Sequence, residues 1–415
     1  MRWVIEDTQE RKEFREEVRG WLKSVLPGGW MEAVDSKDDA ALEKVRTGFD
    51  IMGWQKTIGT SGYGAPLWPK EYGGLSGEVW QQQVVREELA HYRLPTVGIN
   101  ILGVGLAGPT LIEHGTDEQK ERYLRKILTA EEVWCQLFSE PGSGSDLASC
   151  GTRAVRSDGE WIINGQKVWT SIAQLSKFGM LLARTDPDNT KHEGLSYFIV
   201  EMNAPGVDIR PLRQITGSSE FNEVYFTDVR IPAENIVGTE GDGWRVTRTT
   251  LMNERVALSG LSIDAHTFTG GVRRDPWQAF LDQIPDTADL RTRQFIAQSY
   301  IEKEVKEITS FRAAVARMRG ETPGPEGSVG KVYNAEYNQW RTNNAMNAGG
   351  PSSIAWEPGD GAAAGRAHAF LRARANSIEG GTSEVLRNQM GERILGLPRE
   401  PEVDRGIPWK DIKRS

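Results

Sequence analysis

Ala154-Val155-Arg156-Ser157-Asp158-Gly159-Glu160-Trp161-Ile162-Ile163-Asn164-Gly165-Gln166-Lys167-Val168-Trp169-Thr170-Ser171 is the stretch that decides the fold. Ala154–Arg156, Glu160–Ile163 and Gln166–Ser171 alternate with a period of two, the spacing of a strand with one buried face. Asp158-Gly159 and Asn164-Gly165 separate these runs. Both dipeptides suit type I′ turns, so the spacing predicts a β-meander with a turn at each. Leu181–Arg184, Ser196–Glu201, Asp208–Pro211 and Glu223–Val229 continue the pattern. Together they predict a small sandwich or open barrel.

Outward from this centre the period becomes helical. Before it, Asp7 with Glu10 reads as a capping pair, and Phe14, Val18, Trp21, Leu22 and Val25 share one helical face. Trp80–His91 forms a second helix, and Pro109–Leu128 reads as two short helices broken at Gly115, with a start signal at Thr116. After it, helix returns near Gly243. Glu302–Arg319 carries apolar residues at three- and four-residue spacing, Ser328–Ala348 forms another helix, and the last runs from after Gly381 to Ile394. Ser352–Gly365, polar and rich in Gly and Ala, reads as a surface loop. The fold class is therefore α+β: an N-terminal α-helical domain over 1–131, a middle β-sandwich or barrel over 132–241, and a C-terminal helical bundle over 242–415.

At 415 residues the chain is long enough for two or three domains. Fifty Lys and Arg against 58 Asp and Glu leave a net charge of −8, which does not attract phosphate backbones. Cys135 and Cys150 exclude a disulfide scaffold. No apolar run is long enough to span a membrane, and Met1 runs straight into charge, so the cytoplasm is the default compartment. Gly103-Val104-Gly105-Leu106-Ala107-Gly108 matches G-x-G-x-x-G, but it lies in helical sequence with Pro109 directly after, which favours close helix packing over a dinucleotide site. Gly327-Ser328-Val329-Gly330-Lys331 lacks the first Gly of a phosphate loop. The five His have no ligand spacing, so a metal is not expected.

Ser139-Glu140-Pro141-Gly142-Ser143-Gly144-Ser145-Asp146 is a bare, donor-rich loop able to approach a ligand closely. Gln166–Ser171 follows, with Trp169 able to lie against a flat ring. Ile378-Glu379-Gly380-Gly381-Thr382-Ser383-Glu384 comes near the end. In this order the three segments resemble the acyl-CoA dehydrogenase flavoprotein family. Trp68-Pro69-Lys70-Glu71-Tyr72-Gly73-Gly74, the stretch from Gly108-Pro109-Thr110 to Lys126, Ile163–Lys167 and Phe226–Pro232 add further matches, so the resemblance covers nearly the whole chain. It implies the family's helical, β and four-helix-bundle domains.

The resemblance also implies site residues. Gln136 to Ser145, including Ser139 and Gly144, would line FAD, with Ser139 standing where the family usually has Thr. Ser145 would also face the acyl-CoA. Trp169, Thr170 and Ser171 would continue the flavin site, Thr382 and Glu384 would touch FAD from the C-terminal domain, and Arg255 would lie near the substrate. Removing hydrogens from Cα and Cβ of a thioester needs a base, a polarised carbonyl and a hydride acceptor. Two carboxylates compete as base. Met252-Asn253-Glu254-Arg255 matches the helix-borne version without a gap, whereas Glu379 falls one residue before the C-terminal base position, which Gly380 occupies. The reading is thus Glu254 as base, Glu379 as runner-up, and the Gly380 N–H on the thioester carbonyl. An electron-transferring flavoprotein would accept the electrons.

One departure stands out. Gly270–Trp277 replaces the Arg-x-x-Phe-Gly stretch by which homotetrameric members reach a neighbour's FAD, and Arg293-Gln294 would take part of that role. In this the chain resembles actinobacterial members that form mixed tetramers and act on bulky, branched or steroid-derived side chains. The assembly expected is a homo- or hetero-oligomer. An oxygen-using flavin oxidase or monooxygenase on the same fold, and a non-catalytic partner subunit, are the alternatives.

Overall fold

Short polar turns and β-branched alternation place eight strands in the middle of the chain. The computed structural model describes residues 7–95, 100–256, 280–281, 284, 289–319, 327–357 and 361–413. The strands are β1 (Trp134–Leu137), β2 (Arg153–Ser157), β3 (Glu160–Ser171), β4 (Phe178–Arg184), β5 (Leu195–Glu201), β6 (Val207–Leu212), β7 (Phe221–Pro232) and β8 (Ile236–Val237). They form one sheet in the order β6-β7-β3-β2-β4-β5-β8, with β1 parallel to β4. Asp158 and Gly159, at φ of 49° and 83°, close the β2–β3 hairpin as expected.

Asn164-Gly165 does not turn the chain, contrary to expectation. β3 runs unbroken past it, and the register against β7 slips between Ile163 and Gly165. The Asn164 side chain reaches across to Asp228, donating to its carboxylate at 2.9 Å and accepting from its N–H at 3.0 Å. That exchange absorbs the extra residue of β7 as a bulge. Gly165 is required there, because a Cβ would lie 2.5 Å from Thr152 Oγ1.

The sheet folds over itself. Trp161, Ile163, Val224 and Phe226 of β3 and β7 share a buried core with Leu181, Ala183, Phe198 and Val200 of β4 and β5, as in a sandwich. The other face of β4 and β5, with Phe178, Met180, Leu182, Tyr197 and Ile199, joins a second core containing Leu124, Ile127, Leu128 and Val246 from helices. Every residue of β4 is buried, because both its faces are covered.

Before the sheet run α1 (Gln9–Val25), α2 (Trp30–Asp35), α3 (Asp39–Arg46), α4 (Ile51–Ser61), α5 (Val79–His91), α6 (Gly108–His114) and α7 (Asp117–Leu128). Thr8 rather than Asp7 caps α1. Asp7 instead accepts from Arg15 at 2.7 Å. Thr116 and Gln119 form the reciprocal capping box of α7. Gly103–Ala107 is a π-helical turn leading directly into α6. A Cβ on Gly108 would sit 1.9 Å from the Trp68 ring and one on Gly103 2.3 Å from the Asn100 side chain, so these two glycines serve packing, while Gly105 has open space beside it.

After the sheet come α8 (Gly243–Val256), α9 (Leu290–Met318), α10 (Gly327–Gly349), α11 (Gly361–Ala373) and α12 (Ser383–Arg393). Helix α9 begins twelve residues before the expected start, and Gly361–Gly365 belongs to α11 rather than to a loop. The chain divides into two compact units. The larger holds Asp7–Arg213, Ser219–Glu254 and the segment from Pro401 onward; the smaller holds Gln214–Ser218 and the described part of Arg255–Glu400. In the smaller unit α10 packs against α9, α11 and α12, and Phe295 meets the rings of Phe280 and Trp340. Among the described residues no helix is long and apolar enough to cross a membrane.

Candidate active site

In the larger unit the loop after β1 is shaped by its own backbone and by buried charge. Glu140 and Ser143 exchange backbone hydrogen bonds at 2.9 and 3.1 Å, closing a turn over Pro141-Gly142. The buried Ser143 hydroxyl donates to the Asp146 carbonyl at 2.7 Å. Gly142 and Gly144 have nothing within 4 Å of an added Cβ, and Ser145 is exposed, so the loop offers bare backbone.

Lys167 anchors this loop from β3. Its ammonium is fully buried and donates to the Phe138 carbonyl and the Glu140 carboxylate, each at 2.8 Å. Glu140 also accepts from the N–H groups of Gly151 (2.7 Å) and Thr152 (2.9 Å). Burial would push the Glu140 carboxyl up, but the Lys167 charge and these donors outweigh it and hold the group below the usual carboxylate range. The signal in the sequence was a lysine at the same strand parity as the buried Trp161 and Ile163.

Next to Lys167 the register against β7 slips again, with the extra residue on β3. Trp169 sits in this bulge at φ 59° and is 55% exposed. A bulky side chain in the left-handed region is a conformational outlier, and such outliers concentrate where a ligand is gripped. Val168 N–H donates to the Ser139 carbonyl at 2.9 Å, tying bulge and loop together. Thr170 is buried and its hydroxyl finds no partner among the described residues. Ser171 is half-buried and pairs with Phe221.

Helix α8 completes this half. A Cβ on Gly243 would lie 2.5 Å from Ser196 backbone, so the helix starts in close contact with β5. One turn before Glu254, the buried Thr250 hydroxyl meets Thr110 at 2.9 Å and Tyr197 at 3.2 Å, fixing the helix rotation. Gln136 of β1 then donates to the Glu254 carboxylate at 3.1 Å. The structure thus links Glu254 to Gln136, and through the strand to Ser139 and the Trp169 bulge.

The smaller unit carries the other candidates. Arg372 donates to both Glu379 oxygens, at 2.8 and 3.3 Å, and Asn376 adds a third bond at 2.7 Å. Gly380 and Gly381 have φ of 65° and 91°. Lys331 donates to the Gly381 carbonyl at 2.5 Å. Thr382 caps α12, its hydroxyl accepting from Val385 N–H at 3.2 Å. Glu384 is exposed in the first turn. Arg293 is exposed near the start of α9, and Gln294 lines a groove with Leu290, Phe295 and Trp340. The Arg255 side chain and Gly270–Trp277 lie outside the described residues.

Three family profiles match: acyl-CoA dehydrogenase N-terminal domain over residues 8–131, middle domain over 135–229 and C-terminal domain over 241–395. The chain is 37% identical over 406 residues to "Acyl-CoA dehydrogenase IpdE1" of Mycobacterium tuberculosis, covering 94% of this chain and 99% of that one. The chain belongs to the acyl-CoA dehydrogenase family. These are FAD flavoproteins, oxidoreductases acting on the CH–CH group of an acyl-CoA. "Acyl-CoA dehydrogenase FadE34" of Mycobacterium tuberculosis is 40% identical over 347 residues, 83% of this chain, which spans 46% of that protein's length. Among solved structures, "Tcur3481-Tcur3483 steroid ACAD" matches with a TM-score of 0.74 at 28% identity, covering 96% of this chain and all of that one. The "ChsE4-ChsE5 complex from Mycobacterium tuberculosis" matches with a TM-score of 0.72, also at 28% identity, with the same coverage. Helical, β-sheet and helical segments in that order are the acyl-CoA dehydrogenase fold, as the sequence led one to expect.

Proposed function

We propose that this protein catalyses FAD-dependent α,β-dehydrogenation of an acyl-CoA thioester to the 2-enoyl-CoA, with Glu254 as the base. The observation that carries the proposal is the Gln136–Glu254 hydrogen bond, which joins the candidate base to the strand leading into the proposed flavin loop. The residues fit the cofactor. An exposed indole forced into a left-handed bulge suits a flat ring, bare Gly142 and Gly144 allow close backbone approach, and the Thr170 hydroxyl is buried without a partner among the described residues. Gln136, Ser139, Gly144, Ser145, Trp169, Thr170 and Ser171 would hold FAD in the larger unit. Bound there, FAD supplies the hydride acceptor.

Glu254 takes the α-proton, and Gln136 orients its carboxylate while donating a neutral hydrogen bond. Sequence resemblance proposes the Gly380 N–H on the thioester carbonyl, Thr382, Glu384 and Arg293 at the flavin, and Ser145 and Arg255 at the substrate. It also proposes the three-part division 1–131, 132–241 and 242–415. Similarity to the "Tcur3481-Tcur3483 steroid ACAD" supports a bulky or polycyclic-derived acyl group. Another relative's description as a complex supports assembly as a homo- or hetero-oligomer. An electron-transferring flavoprotein is the acceptor we propose.

The test is Glu254→Gln beside Glu379→Gln, each checked for bound FAD before assay against a panel of acyl-CoA thioesters. Glu254→Gln stays yellow and loses turnover by about 10²–10⁴. A dead Glu379→Gln with a near-normal Glu254→Gln would reverse the assignment.

A further inference from the structure

The bare loop Ser139–Thr152 is braced from one side by Lys167 and Glu140, and from the other by the C-terminal end of the chain. Arg184, at the end of β4 and 2% exposed, donates to the carbonyls of Ala148 (2.5 Å), Cys150 (3.3 Å) and Lys191 (2.8 Å). The Trp409 ring covers this guanidinium, with its centroid 4.6 Å away. Its indole N–H donates to the Ser149 carbonyl at 3.2 Å, and its edge would meet a Cβ on Gly151 at 3.5 Å.

The segment is strapped down on both sides of that indole. Trp409 N–H donates to the Asn189 carbonyl at 2.8 Å and Lys410 N–H to Pro187 at 3.0 Å. Lys410 also pairs with Asp188. Upstream, Lys191 bridges Asp404 of the segment (2.6 Å) and Asp146 of the loop (3.3 Å), the residue after Ser145. Away from these anchors the segment buries little, with Val403 91% and Ile407 37% exposed. A tail that hides so little apolar surface contributes little to overall stability. Its contacts concentrate on residues 146–151 and on the β4–β5 connection that supports them.

We infer that residues 401–413 are a positioning strap for the acyl-CoA-facing side of the Ser139–Thr152 loop, with Trp409 as its anchor and Arg184 and Lys191 as the positioning residues it acts through. The inference rests on the proposed function for the identity of the ligand, and on geometry alone for the bracing. Ser145 and Gly144 lack side-chain packing of their own, so their placement against a thioester depends on what fixes 146–151.

The experiment compares full-length protein with Trp409→Ala, Trp409→Phe and a chain ending at Glu400. Trp409→Ala and the shortened chain keep their FAD and melting temperature. KM for the thioester that best bleaches the wild type rises about tenfold, in the range of one desolvated cation–π contact, while kcat stays within about twofold. Trp409→Phe, which keeps a ring over Arg184, restores KM. Amide hydrogen exchange across 139–152 quickens in Trp409→Ala and in the shortened chain. Unchanged exchange and unchanged KM overturn the inference, as does parallel loss of FAD, melting temperature and kcat, which would mark the strap as a general structural element. If no thioester bleaches the wild type, the dehydrogenase reading fails, and exchange across 139–152 still decides whether the strap braces the loop.

Discussion

The end of α8 and the turn after α11 each present a glutamate that the resemblance offers as base, and different groups reach the two. Glu379 is gripped by a guanidinium on both oxygens and by an amide as well. Glu254 accepts from a neutral amide, Gln136, on a helix whose rotation is fixed one turn earlier by buried hydroxyls. Register favours Glu254, which matches the helix-borne version without a gap, whereas Glu379 falls one residue early. The left-handed φ of Gly380 and Gly381 points the same way, since a side chain at either would be strained.

The largest break in this comparison comes from charge removal at α8. Glu254→Gln lowers kcat by about 10²–10⁴ with FAD retained, whereas Glu379→Gln stays within about threefold, as expected for loss of one partly exposed pair. Steady-state kinetics on the purified yellow proteins separate the two.

A third glutamate, Glu140, sharpens the contrast, because its pairing is buried and structural. Glu140→Ala leaves the Lys167 ammonium buried without its carboxylate and destabilises the protein by about 3–5 kcal/mol. Urea unfolding measures it, and a loss below about 1 kcal/mol would show that the pair is not what anchors the loop. The same carboxyl has a folded pKa below its ordinary 4.5. Its stabilisation is therefore complete above that value and disappears as the pH falls through the lower folded pKa. Melting temperature from pH 7 to pH 3 should fall more steeply below pH 4.5 in the wild type than in Glu140→Gln.

The smallest effect concerns Thr382, whose hydroxyl caps α12. Thr382→Ala costs about 1 kcal/mol by thermal melting and Thr382→Ser restores it. A loss of FAD in Thr382→Ala beyond what melting explains would point to the additional flavin contact implied by the resemblance.

Much of the frame was legible because local chemistry and tertiary structure agree. Asp158-Gly159 turns, Thr116 with Gln119 starts a helix, and Gly103–Gly108 lies in helical backbone, all from short-range signals. Asn164-Gly165 misled because the same dipeptide serves a bulge when a residue on the facing strand, Asp228, captures the Asn side chain. Helices α2 and α3 are only six and eight residues long, and α11 opens on Gly-Ala sequence that shows no periodicity. The buried partners of the site, Glu140 with Lys167 and Arg184 with Trp409, were hidden for a different reason. Charged residues default to the surface, and only a three-dimensional neighbour reveals the exception. Glu254 is proposed from its place in a motif, and the amide it accepts from is 118 residues away.

Strand β4 serves two cores at once, one on each face. Neither the helical layer nor the sandwich can lose that strand without exposing the interior of the other. Sequence comparison divides this part of the chain into separate homologous modules, yet mechanically it has a common keel. A lesion in α7 or on the inner face of β3 should therefore propagate across the boundary between them, and the larger unit should come apart in a single cooperative step.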